Sequence, residues 1–203
     1  MNLPNKISLT RICMIPVFVA AFFLDGILPF NYAIAAVIFV MAACTDFIDG
    51  YIARSRGLVT NLGKFLDPIA DKVLVATAMV LLLTMKESLF AMLGTVQTAA
   101  YIATAVSVCV ILARELIISA FRQIAAANGV VMAAEKLGKY KTTVQDVAIA
   151  VLLFAADVPA LVGTVIAWVG FVALALATVL TVWSGVVYVL KNKQVLQDKK
   201  DEQ

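Results

Sequence analysis

The chain has no histidine. That absence removes imidazole acid–base chemistry, histidine-zinc sites and haem ligation through histidine. Cysteine is scarce too. Cys13, Cys44 and Cys109 each sit in an apolar run, with no spacing that suggests pairing or zinc. Buried, inert thiols are the expectation. Any metal bound here should then have oxygen ligands, which favours a hard cation such as magnesium or manganese.

Charge is the third shortage. Only 14% of the 203 residues are charged and 63% are apolar, with a mean hydropathy of +1.00. Ordinary soluble domains are about a quarter charged. The composition therefore predicts an all-α, polytopic membrane protein in which residues 1–203 form a single domain of about six spans. Nucleic-acid binding has no support, because there is no soluble basic domain. The opening "MNLPNKISLTRICMIPVFVAAFFLDG" has an apolar core but no small-x-small site after it. It reads as a first span and not as a cleaved signal.

Uncharged runs place transmembrane helices at 8–24, 31–54, 62–85, 92–121, 140–157 and 160–190, with a short N-terminal interfacial segment at 2–7. Lys and Arg set the orientation. One side holds only Asp25, Lys86, Glu87 and Asp157 between spans. The other holds Lys6, Arg11, Arg54, Arg56, Lys64, Arg122, Lys136, Lys139, Lys141 and, in the mixed-charge C-terminal tail, Lys191, Lys193, Lys199 and Lys200. By the positive-inside rule both termini and the 54–64 and 122–141 segments face the cytoplasm. Such a basic face suits anionic headgroups or substrates, although topology alone would also produce it.

Against this apolar background stands "CTDFIDGYIARSRGLVTNLGKFLDPIADK", residues 44–72. Asp46 and Asp49 are three residues apart near the end of span two, and Asp67 and Asp71 are four apart near the start of span three. At about 100° per residue each pair shares a helical face. Two antiparallel helices joined by a short loop would bring the pairs to similar depth, as a four-carboxylate cup open to the cytoplasm. So many negative charges must be protonated, paired or metallated. Two divalent cations, about 3.5–4 Å apart, are a recurrent solution for phosphoryl chemistry. The plainer alternative is helix-end acids paired with Arg54, Arg56, Lys64 and Lys72. Gly50 and Gly63 allow close approach of a ligand or simply helix packing. Arg54 is placed to reach a phosphate, and Thr60 to donate a hydroxyl.

The segment reads D-x2-D-G-x2-A-R-x8-G-x3-D-x3-D, filled by Asp46, Asp49, Gly50, Ala53, Arg54, Gly63, Asp67 and Asp71. At every fixed position it resembles the signature of the CDP-alcohol phosphotransferase family, whose six-helix fold the expected spans also resemble. The resemblance implies displacement of CMP from a CDP-linked donor by an alcohol. It implies two divalent cations, magnesium or manganese, on Asp46, Asp49, Asp67 and Asp71, with Asp71 also acting as general base. It further implies a donor site lined by Gly50, Arg54, Thr60 and Gly63. "NLPNKISLTR" resembles the family's entrance segment, which would set Asn5, Thr10 and Arg11 beside the nucleotide. Many members are homodimers, so a second copy of the chain is an expected partner.

The acceptor is less decided. Arg114 with Glu115, then Arg122, Lys139 and Lys141, are positioned to gather beside the cup and suit an acceptor that carries phosphate. Positive-inside topology alone also accounts for Lys139 and Lys141. "ARELIIS" and "GKYKTTVQ" resemble the branch that forms phosphatidylglycerol phosphate. That resemblance implies CDP-diacylglycerol as donor and sn-glycerol 3-phosphate as acceptor, in the cell membrane. Inositol phosphate and phosphatidylglycerol are the alternative acceptors. A small cation transporter is the competing class. It calls for acids at mid-bilayer and an internal repeat, and neither pattern is present in the sequence.

Overall fold

Long uncharged runs leave the backbone few ways to satisfy its N–H and C=O groups without water, and the helix satisfies them locally. The computed structural model describes residues 3–25, 27–55, 61–127 and 136–192. Within these, side chains are described except at 3–6, 46–55, 61–65, 67, 127 and 136. The described residues contain no strand and form six long helices. These are α1 Leu3–Phe23, α2 Asn31–Ser55, α3 Asn61–Thr84, α4 Gln97–Ala127, α5 Lys136–Ala155 and α6 Ala160–Lys191.

The stretches Lys86–Ala126 and Ala160–Lys191 are long and apolar enough to cross a membrane, and Ile7–Phe23 and Asn31–Thr45 are shorter apolar helices. Helices α3 and α5 fall short of that measure for a chemical reason. Their N-terminal halves carry Lys64, Asp67, Asp71 and Lys72, and Lys136, Lys139, Lys141 and Asp146.

Three expectations are corrected. The segment 2–7 is not a separate interfacial piece, since α1 runs unbroken from Leu3. Pro4 lies in its first turn, where a missing N–H costs nothing. The fourth helix begins at Gln97 and not at 92, because two short irregular turns, Lys86–Phe90 and Ala91–Val96, precede it. Gly94 within them has φ 55°, a conformation that favours glycine and breaks the helix there. Finally, Cys13, Cys44 and Cys109 are all exposed on the outer surface, not buried.

Helix α6 explains that inversion. Its inward residues Gly163, Ala167, Gly170, Leu174, Ala177, Thr181, Ser184 and Tyr188 alternate at spacings of four and three and are small or polar for the most part. Its outward residues are large and apolar: Leu161, Val165, Val172, Val179, Trp183 and Leu190 are 62% to 84% exposed. Small inward residues let helices approach closely where lipid supplies no hydrophobic drive between them. A Cβ on Gly163 would sit 2.8 Å from the Ala155 carbonyl oxygen, and one on Gly170 would sit 2.7 Å from Leu152 Cδ2. The α5–α6 contact, the most extensive in the bundle, therefore depends on both glycines. With so much apolar surface turned outward, the arrangement fits a membrane protein.

The core is aromatic at the end remote from the acidic pairs. Phe22 meets Tyr32 at 5.2 Å and Phe90 meets Phe171 at 5.5 Å between ring centroids. At this end the Asp157 carboxylate accepts a hydrogen bond from the Ala33 N–H at 2.6 Å. It thereby satisfies an orphan donor in the first turn of α2. The Asn31 side chain, itself buried, donates to the Phe22 carbonyl oxygen at 2.7 Å.

Candidate active site

Helices α3, α4 and α5 enclose a cavity of about 270 Å³. Helix α3 contributes Asp71, Lys72, Val75 and Ala76, and α5 contributes Lys141, Thr142 and Gln145. Helix α4 supplies Ile111, Leu112, Glu115 and Leu116. Asp71 and Lys72 precede Val75 by one turn, and Glu115 follows Ile111 by one turn. The polar wall thus lies toward the start of α3, the end of α4 and the start of α5. The acidic segment belongs to that same end: α2 finishes at Ser55, α3 begins at Asn61, and the two helices pack together.

A polar network centred on α4 ties this end together. Glu115 pairs with both Lys141 and Arg114, the latter at 3.5 Å. Lys141 is buried at 3% exposure, so its ammonium depends on that carboxylate for compensation. Lys72 donates to the Ser119 hydroxyl, which in turn donates to the Glu115 carbonyl oxygen at 2.5 Å. Arg114 Nη2 donates to Ser184 Oγ on α6 at 3.0 Å. Gly185 makes room for that side chain, since a Cβ there would lie 3.2 Å from both Arg114 Cγ and Nε. Arg122 Nε donates to the Tyr188 hydroxyl at 3.1 Å, with its guanidinium carbon 5.3 Å from the ring centroid.

The structure thus brings Asp71 and Lys141 into one cavity, with Arg114 one ion pair away through Glu115. Arg122 is exposed, one turn further along α4 beyond Ser119, and Lys139 is exposed on α5. Neither lines the cavity. Of the residues expected to border the donor, Arg11 is fully buried and its Nε donates to Thr45 Oγ1 at 3.2 Å. That contact links α1 to α2 one residue before Asp46. Thr10 is exposed on α1. The side chains of Asn5, Asp46, Asp49, Arg54 and Asp67 lie outside the described residues, as does Thr60 altogether. Gly50 belongs to α2 and Gly63 to α3, and their surroundings are likewise outside the described set.

Sequence reasoning missed the α6 contribution. Thr181, Ser184, Gly185 and Tyr188 fall within an uncharged run and read as part of a plain span. Their spacing of three, four and seven from Thr181 puts them on one face, which was the available signal. Gln145 was passed over for the same reason: it is uncharged.

Among the described side chains no group of three potential ligands converges on a metal position. The donor types still fit a hard cation. Asp71 offers a half-buried carboxylate at the cavity wall, the other three aspartates belong to α2 and α3, which pack together, and the chain has no imidazole.

Residues 1–183 match the family model described as CDP-alcohol phosphatidyltransferase. A protein of Bacillus subtilis (strain 168), named CDP-diacylglycerol–glycerol-3-phosphate 3-phosphatidyltransferase, is 39% identical over 162 residues, which span 75% of this chain and 76% of the relative. A relative of the same name from Sodalis glossinidius is 39% identical over 188 residues, 91% of each chain. Another, from Salmonella typhimurium, is 38% identical over 205 residues, 98% of each. The chain belongs to the CDP-alcohol phosphatidyltransferase family.

Proposed function

We propose that the chain transfers a phosphatidyl group from CDP-diacylglycerol to sn-glycerol 3-phosphate, giving phosphatidylglycerol phosphate and CMP. The observation that carries the reading is the cavity in which the Asp71 carboxylate shares walls with Lys72 and the buried Lys141. One group there can take a hydroxyl proton while cations hold a phosphate. The names of the relatives supply the matching donor and acceptor.

In this reading the acceptor hydroxyl oxygen bonds to the lipid-side phosphorus of the donor. The bond from that phosphorus to the CMP oxygen breaks, CMP leaves, and the hydroxyl proton passes to Asp71. Two divalent cations, magnesium or manganese, would be held by Asp46, Asp49, Asp67 and Asp71 and would neutralise the pyrophosphate. Gly50, Arg54, Thr60 and Gly63 would line the donor site, bordered by Asn5, Thr10 and Arg11. Arg114, Arg122, Lys139 and Lys141 would receive the acceptor's phosphate, with Lys141 inside the cavity and Lys139 outside it.

All six helices would cross the cell membrane, with the active site and both termini cytoplasmic and the chain working as a homodimer. The charged halves of α3 and α5 would then face protein and water, while the lipid donor keeps its acyl chains in the bilayer.

Purified protein supplied with CDP-diacylglycerol, magnesium and glycerol 3-phosphate should release CMP and form a phosphorylated lipid. Asp71→Asn should abolish turnover while retaining donor binding. No CMP release with any alcohol acceptor overturns the reading. Release with inositol phosphate but not with glycerol 3-phosphate overturns only the acceptor.

A further inference from the structure

Among the polar side chains of the cavity wall that the reaction above does not use, one is left without a partner. Gln145 on α5 is only 3% exposed and lines the cavity. Its Oε1 is buried with no hydrogen-bond partner among the described residues. An unpaired amide oxygen in such a place is costly and calls for a ligand.

Other polar groups of the wall are engaged, although Arg114 Nε and Thr181 Oγ1, which do not line the cavity, are also buried without a partner among the described residues. The Glu115 carboxylate takes Lys141 and Arg114. The Thr142 hydroxyl donates to the Gly138 carbonyl oxygen at 3.0 Å. Behind the wall, the Ser119 hydroxyl is shared between Lys72 and the Glu115 carbonyl. Gln145 thus presents a neutral acceptor one helical turn beyond Lys141, on the same face of α5. Asp71 lines the cavity from α3.

We propose that Gln145 is a specificity-determining residue whose Oε1 accepts a hydrogen bond from the acceptor's second hydroxyl, the one that does not attack. The inference rests on the phosphatidyl-transfer reading and adds to it the group that reads the middle carbon. With phosphate toward Lys141 and the attacking hydroxyl at Asp71, the central hydroxyl of a three-carbon acceptor lies between them, within reach of Gln145. A neutral amide suits this task because a further carboxylate, beside Asp71 and Glu115, would repel the phosphate.

The test compares glycerol 3-phosphate with 3-hydroxypropyl phosphate, which lacks only the central hydroxyl, in the intact protein with CDP-diacylglycerol. The wild type should favour glycerol 3-phosphate in kcat/KM by about tenfold or more, the scale of one buried hydrogen bond. In Gln145→Met that ratio should collapse to within about twofold, with the KM for CDP-diacylglycerol held. A ratio that survives in Gln145→Met overturns the proposal. So does a wild type that does not distinguish the two acceptors, a result that needs no folded variant. Release of no CMP with either acceptor would instead overturn glycerol 3-phosphate as the acceptor, and this inference with it.

Discussion

Lys141 and Lys139 show what one residue's placement decides. Both stand in "GKYKTTVQ" as equal candidates. Two residues of helix separate them by about 200°, so one can be buried only if the other is not. Lys141 is the buried one and Lys139 the exposed one. The sequence could not rank them, because the ranking depends on which face of α5 turns toward the cavity and Glu115. Removing Lys141 takes away a charged partner at the cavity and leaves Glu115 with Arg114 alone. A hydrogen bond to a charged group is worth about 1.5–3 kcal/mol, so Lys141→Ala should raise the KM for glycerol 3-phosphate about 10- to 100-fold. Lys139→Ala should raise it by less, since an exposed charge is screened by solvent. Steady-state kinetics with varied acceptor would check the order, and an equal effect of the two substitutions would contradict it. The four aspartates stand out in the sequence for a different reason: acids are rare in so apolar a chain, and of the four only the Asp71 side chain is described, at the cavity wall. Ser184, Tyr188 and Gln145 carry no charge, and burial had to reveal them.

At the scale of the helix, uncharged runs located all six elements to within a few residues at most ends, though α4 runs to Ala127, six residues past the expected end. Two other exceptions have local causes. Pro4 is tolerated at the start of α1, so α1 begins earlier than the uncharged run. Gly94 breaks the chain before α4, so that helix begins later. Contacts across the sequence were not legible at all. Asp157 reads as a lone loop charge, yet it caps α2 from 124 residues away. Asp157→Ala should cost about 1 kcal/mol, as loss of a helix N-terminal partner does. For a chain of this size that lowers the thermal unfolding midpoint by about 2–4 °C, measurable by circular dichroism in detergent. No change in midpoint would mean that water or another group replaces the carboxylate at no cost. Gly163 is as tightly placed, with carbonyl oxygens on two sides of where a Cβ would stand.

For the whole molecule, the composition predicted the solvent correctly but not its consequence for single residues. Cysteine burial is a habit of proteins surrounded by water. Here the outer surface is itself apolar, so Cys13, Cys44 and Cys109 face outward with the valines and leucines. Small and polar residues go inward, and the charged halves of α2, α3, α4 and α5 gather at one end. That distribution joins a lipid-compatible exterior to a cavity with charged groups in its wall, the combination the proposed lipid donor and water-soluble acceptor would require. The most direct test follows the acceptor's atoms into the product. Purified protein would be given CDP-diacylglycerol, magnesium and deuterated glycerol 3-phosphate, and the lipids read by mass spectrometry. The expected result is phosphatidylglycerol phosphate carrying the full deuterium label, with one CMP released per lipid formed. CMP release without label in any lipid, or no CMP at all, would contradict the account.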